Sequence, residues 1–335
     1  MAKVVLGIGC SHGPMLSTAP DQWHLRAGAD RANPQHWYRG QAYAFDALKA
    51  TRARSFEVES AAEERIRRYE RSQRALDALA RQFAAAQVDL AVIVGNDQLE
   101  VFKEDLIPAI VLYTGRTIEN VPLNEIQIAR LPPGIAVAER GHCLEEGAVY
   151  PGAPESAAAL LRSLVAQDFD ISCADRFNAL PDRMNGIPHA FGFLYRRIMR
   201  DAPPPSVPVF LNVGVEPNQL PVARCLKFGR ALGRAIRELP GDLRVAVLAS
   251  GGLTHFVIDE ELDQRLLEAM RMRDEAALAA IPENWFKGNT CECKSWLAVS
   301  AAMNELGLAC RLVDYVPCYR SEAGTGNAMG FVVWQ

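Results

Sequence analysis

Three loops in this 335-residue chain follow strand-like apolar runs and carry side chains able to hold a cation or move a proton. Gly9-Cys10-Ser11-His12-Gly13-Pro14 sets an imidazole in a small-residue turn. Asn96-Asp97-Gln98-Leu99-Glu100 places acids and amides straight after Leu90–Gly95. Ser250-Gly251-Gly252-Leu253-Thr254-His255 follows Val245–Ala249 and leads into Ile258-Asp259-Glu260-Glu261-Leu262-Asp263. Open α/β sheets place their ligand sites beyond the carboxyl ends of strands. His12, the Asp97/Gln98/Glu100 cluster and Glu261, brought to one such edge, would form a nitrogen and oxygen donor set with open positions, which suits Fe(II). Each signal has an ordinary counterpart: Asn-Asp also makes turns and helix caps, and acids favour the first turn of any helix. Their convergence is what carries weight.

A further imidazole, His189 in Gly186-Ile187-Pro188-His189-Ala190-Phe191, stands at a helix entrance. The positive end of the helix dipole is expected to lower its pKa and leave it neutral as a base, although a capping role is the plainer reading. His24, His36 and His142 have no sequence partners that raise them above surface residues. In the tail, Tyr319 and Arg320 are placed to offer a hydroxyl and a two-pronged guanidinium to an anionic aromatic acid, with Thr325 beside them. Gly324-Thr325-Gly326 lacks the strand-then-helix setting of a dinucleotide fingerprint, so a Rossmann cofactor site is rejected. The eight cysteines are dispersed and read as reduced thiols packed as small hydrophobes. Cys291-Glu292-Cys293 has no second pair at zinc spacing and is read the same way.

The elements that must position these residues alternate. Apolar, β-branched runs at Val4–Gly9, Leu90–Val94, Ala109–Tyr113, Val207–Val215, Val245–Ala249 and Arg311–Val316 are separated by amphipathic stretches, the longest being Glu59–Gln87. That pattern predicts an α/β fold: a central, mostly parallel or mixed sheet with helices on both faces. Without a repeat or a Gly/Ser linker, residues 1–335 are read as one domain, and the polar insertion Pro20–Arg54 as a possible lid over a pocket. The net charge of −4 and pI near 5.9, with no basic block, argue against a nucleic-acid partner. No apolar run is long enough to span a bilayer, and the amino end passes directly into a strand, so a cytoplasmic protein with a small-molecule ligand is expected. A homodimer is expected as the commonest closed assembly.

Taken in order along nearly the whole chain, these motifs resemble the class III (type II) extradiol aromatic-ring-opening dioxygenases, the superfamily of the protocatechuate 4,5-dioxygenase β chain and gallate dioxygenase. The 3-O-methylgallate 3,4-dioxygenase-like branch is the nearest. The resemblance implies iron(II) held by two histidines and a glutamate, matched here to His12, Gln98 and Glu261. Gln98 departs from the pattern by offering a neutral amide where the family has imidazole, which leaves Asp97 or Glu100 as alternative ligands. His189 is implied as the acid/base histidine, with His255 as its catalytic companion, and a second pocket histidine would fall near Glu216. The implied reaction is ring cleavage of a catecholic acid by dioxygen. A metal-free paralogue serving as a structural or regulatory subunit, and a metal-dependent hydrolase on the same fold, are the alternatives.

Overall fold

The computed structural model describes residues 2–52, 54–132, 134–177 and 186–335. Its strands are β1 (Lys3–Ser11), β2 (His36–Tyr38), β3 (Gln41–Tyr43), β4 (Leu90–Gly95), β5 (Ile110–Tyr113), β6 (Thr117–Asn120), β7 (Ala148–Pro151), β8 (Ser172–Ala174), β9 (Ser206–Leu211), β10 (Arg244–Gly251), β11 (His255–Val257), β12 (Cys310–Tyr319) and β13 (Thr325–Trp334). The helices are α1 (Trp23–Ala32), α2 (Phe45–Thr51), α3 (Ala62–Ala85), α4 (Glu125–Ala129), α5 (Pro154–Ala166), α6 (His189–Arg197), α7 (Val222–Arg237), α8 (Glu260–Met272), α9 (Glu275–Ala279) and α10 (Cys293–Glu305).

Nine strands form one mixed sheet in the order β11-β13-β1-β10-β4-β9-β5-β8, with β12 on the free side of β13. The central strands β1, β10, β4 and β9 run parallel. Because side chains alternate across a strand, each of these buries both faces. Val245, Val247 and Ala249 of β10 join one core with α5, α7, α8 and α10, whereas Ala246 and Leu248 join the opposite core with α3 and α6. The alternation in sequence therefore becomes a single sheet covered on both sides, as expected. Among the described residues no helix is long and apolar enough to cross a membrane.

Register sets the functional edge. Ser11 of β1 lies opposite Gly251 of β10, and Ala249 lies opposite Val94 of β4. The loops that begin at His12, Asn96 and Gly252 consequently leave the sheet side by side. The insertion at 20–54 folds as α1, the β2–β3 hairpin and α2, and it packs toward β11 and α8: Arg39 binds Asp259 and Arg52 donates to the Ile258 carbonyl. None of it lines the cavity at this edge. That position is taken by residues 121–147, between β6 and β7, which supply Leu123, Leu131, Ile135 and His142 to the cavity wall.

Candidate active site

A cavity of about 410 Å³ opens at this edge, with His12, Gln98, Glu100 and His189 on its inner wall. Behind His12 and Gln98, and in contact with both, lies Glu292 at the amino end of α10, whose side chain is only 2% exposed. Gly251 allows this approach, since a Cβ there would come within 2.8 Å of the Glu292 carbonyl oxygen. The end of β10 and the start of α10 touch through that glycine.

Hydrogen bonds around Glu292 fix where the protons are. The Ser250 hydroxyl donates to the Ala190 carbonyl, so it must accept from His12 Nδ1, 2.9 Å away. In neutral His12 this leaves Nε2 as a bare lone pair, 3.3 Å from Glu292 Oε2. His255 repeats the arrangement: Nδ1 donates to the Leu253 carbonyl at 2.7 Å, and Nε2 lies 3.7 Å from the same oxygen. Glu292 Oε2 is buried without a hydrogen-bond partner, while Oε1 accepts from Gln98 Nε2. Glu292 Oε2 and the His12 lone pair thus face each other with no proton between them, and only His255 Nε2 stands near enough to supply one, an arrangement that attracts a cation.

Electrostatics agree. Burial pushes His12 down to about 3, against the opposing pull of Glu292, so it is neutral. Burial would raise Glu292, yet the neighbouring imidazoles His12 and His255 hold it below the usual carboxylate range. Burial would lower His255, but Glu292 raises it instead. A proton on His255 relieves the repulsion in one way, and a metal ion would relieve it in another. Among the described residues no group of three or more His, Cys, Asp or Glu side chains is arranged to hold a metal as it stands. An ion would need a further donor, and the Gln98 amide oxygen is the one at hand.

His189 stands beside His12 on the same wall. Its Nδ1 and its backbone N–H both donate to Glu100, and its ring meets the His12 ring edge-on with centroids 4.9 Å apart. Burial alone would lower its pKa, but the Glu100 carboxylate outweighs both burial and the helix entrance and raises it to about 9. The expectation of a neutral base is therefore corrected: His189 is an imidazolium at neutral pH. Beyond it, His142, which sequence reasoning set aside, turns a ring to within 5.6 Å of His189 and pairs with Glu139 at 3.1 Å.

Other expected site residues lie elsewhere. Glu261 is 69% exposed and binds Arg39 at 2.6 Å, because the first turn of α8 faces the insertion and solvent. The buried carboxylate at the site is Glu292, hidden in sequence between two cysteines. Asp97 spends both oxygens on the backbone N–H groups of Val101 and Phe102, and Glu100 is engaged by His189, so neither faces Glu292. Glu216 pairs with Lys287 at 3.6 Å, away from the cavity. Arg320 grips Asp30 of α1 with two nitrogens, at 2.6 and 2.8 Å. Thr325 donates to the same carboxylate, and Tyr319 donates to Glu260 at 2.6 Å. None of the three lines the cavity. Arg320 instead lies over the Phe256 ring, 4.8 Å from its centroid, and Phe256 is part of the cavity wall.

An open α/β edge carrying two imidazoles against an unsatisfied carboxylate is accompanied by a clear family relation. The chain belongs to the family described as the catalytic LigB subunit of aromatic ring-opening dioxygenase, which matches residues 59–318. It is similar to 2,3-dihydroxyphenylpropionate/2,3-dihydroxicinnamic acid 1,2-dioxygenase of Comamonas testosteroni, at 31% identity over 151 residues, 44% of this chain and 43% of that protein. It is also similar to gallate dioxygenase of Pseudomonas putida (strain KT2440), at 51% identity over 51 residues, 15% of each chain. The chain thus spans less than half the length of these curated relatives. A crystal structure of an uncharacterized Escherichia coli K12 protein covers 77% of this chain and 91% of its own at 12% identity, with a TM-score of 0.43.

Proposed function

We propose that this chain is a non-haem Fe(II)-dependent extradiol dioxygenase that opens a catecholic aromatic acid, of the 3-O-methylgallate, gallate or protocatechuate kind, with O2. The carrying observation is Glu292 Oε2, buried without a hydrogen-bond partner and faced by the bare Nε2 of His12, with His255 Nε2 3.7 Å away, in a chain of the ring-opening dioxygenase family. His12 and Glu292 would hold the ion, with Gln98 turning its amide to present oxygen as the third donor. When bound, ferrous iron acidifies a diol and brings it together with dioxygen, with positions to spare for both.

The chain's own residues then divide the remaining work. His255, its Nδ1 anchored on Leu253, keeps Nε2 free to exchange a proton beside Glu292. His189, charged and backed by Glu100, offers a proton from Nε2 beside His12. Phe193 and Phe256 give the ring apolar surface and displace water. The homodimer and the cytoplasmic setting belong to the same proposal.

Protein purified and reconstituted with Fe(II) without air is expected to take up oxygen on at least one of gallate, 3-O-methylgallate, protocatechuate and 2,3-dihydroxyphenylpropionate. No uptake on any of them overturns the reading. One observation, the amide at position 98, favours a second: a metal-free paralogue serving as a structural or regulatory subunit. Stoichiometric iron after anaerobic purification decides against it.

A further inference from the structure

The group expected to read a substrate's acid, Arg320, is closed off by Asp30, which raises the question of which cation on the cavity wall is free. Every other charge near the inner wall has a partner. Glu100 serves His189, Glu139 serves His142, Glu292 faces His12 and His255, and Arg197 donates to Gln73 and to the Leu16 carbonyl.

Lys103 is the exception. It lines the cavity, half-buried, one turn beyond Glu100. Its ammonium hydrogen bonds to the Leu99 carbonyl, and it has no carboxylate partner among the described residues. Its sequence neighbours Glu104 and Asp105 are exposed and do not line the cavity, and the buried Asp97, which feels the Lys103 charge, has both oxygens taken by the N–H groups of Val101 and Phe102. An ammonium with one of three protons bound to protein, in a cavity also lined by Leu123, Leu131 and Ile135, is suited to an anion carried on an aromatic ligand. Arg130 also lines the cavity but is exposed at its mouth, where water screens a charge more fully.

We infer that Lys103 is the specificity-determining residue of this cavity, pairing with the carboxylate of an aromatic acid. This rests on the proposed function for the reaction but not for the recognition, and the test separates the two. Non-catecholic probes need no metal: 3-phenylpropionate and its neutral counterpart 3-phenylpropanol are titrated calorimetrically into the chain. The unaltered protein is expected to prefer the acid about tenfold, the size of one charge-assisted contact. Lys103→Gln is expected to erase that preference, Lys103→Arg to keep most of it and Arg130→Gln to leave it. Preference that survives in Lys103→Gln, or that disappears in Arg130→Gln instead, overturns the inference. In the oxygen assay Lys103→Gln should raise KM about tenfold for acidic catechols and leave catechol itself unchanged. Should no catechol be turned over while the acid preference still follows Lys103, the dioxygenase reading fails and the recognition stands.

Discussion

Two charged clusters lie buried near Phe256, and they are built on opposite principles. In one, Asp30 and Arg320 form a two-pronged pair whose side chains are 5% and 0% exposed. Thr325 and Asn327 take up the remaining donors and acceptors, the latter accepting from Arg320 at 3.1 Å. Burial would raise Asp30, but the guanidinium beside it holds it below its ordinary value. In the other, Glu292 is equally buried, yet one of its oxygens faces the bare His12 Nε2 and has no hydrogen-bond partner. A satisfied network specifies shape, whereas an unsatisfied one retains the capacity to bind. Burial and charge alone do not separate a structural cluster from a reactive one; the state of the last lone pair does.

The sharpest way to break this contrast is to neutralise each carboxylate. Glu292→Gln is expected to lower iron content and oxygen uptake by more than about 100-fold, since loss of a mere supporting residue already reaches that size. The metal-free variant should unfold at no lower denaturant concentration than the parent, because the new amide can donate to the bare His12 Nε2 while its oxygen still accepts from Gln98. Asp30→Ala should do the reverse, losing about 3–5 kcal/mol of stability by stranding Arg320, with the Asp30→Leu/Arg320→Met double variant recovering much of it. Denaturant titration of both reads the difference in sign, and equal destabilisation would abolish the contrast.

The third donor is tested next. Gln98→His is expected to tighten iron binding by about 10–100-fold, and Gln98→Ala to weaken it. If instead His255→Gln removes the iron and Gln98→Ala does not, His255 is the ligand. The pH profile follows from His189. Activity should fall as pH rises through about 9, where Glu100 ceases to hold the proton, and Glu100→Gln should bring that fall toward the ordinary imidazole value of 6.5. By linkage, the pair contributes stability that is complete below about 6.5 and lost as pH passes about 9. Smallest of all, Glu261→Gln should leave iron content unchanged and alter stability by less than about 0.5 kcal/mol, as expected of an exposed pair.

The sheet was legible because β-branched runs and amphipathic stretches alternate, and burial of both faces needs that pattern. His12, Gln98 and His255 were legible because each follows a strand end, and register then carries them to one edge. Glu292 was not legible, since it follows no strand and sits between cysteines at a helix start, where a lone acid gives no periodic signal. Glu261 was misread for the converse reason: first-turn acids are favoured by the dipole whatever else they do. Arg320 looked available because its partner, Asp30, lies 290 residues away in the chain. The cavity wall at 121–147 was missed because short, irregular segments carry little pattern.

Crowding unprotonated atoms around Glu292 has a consequence for the lifetime of the molecule. Whatever ion settles there binds the folded chain and not the unfolded one, so the fold gains stability in proportion to the logarithm of that ion's supply. A cell short of the metal would hold fewer working copies and, through quicker clearance of opened chains, fewer copies altogether.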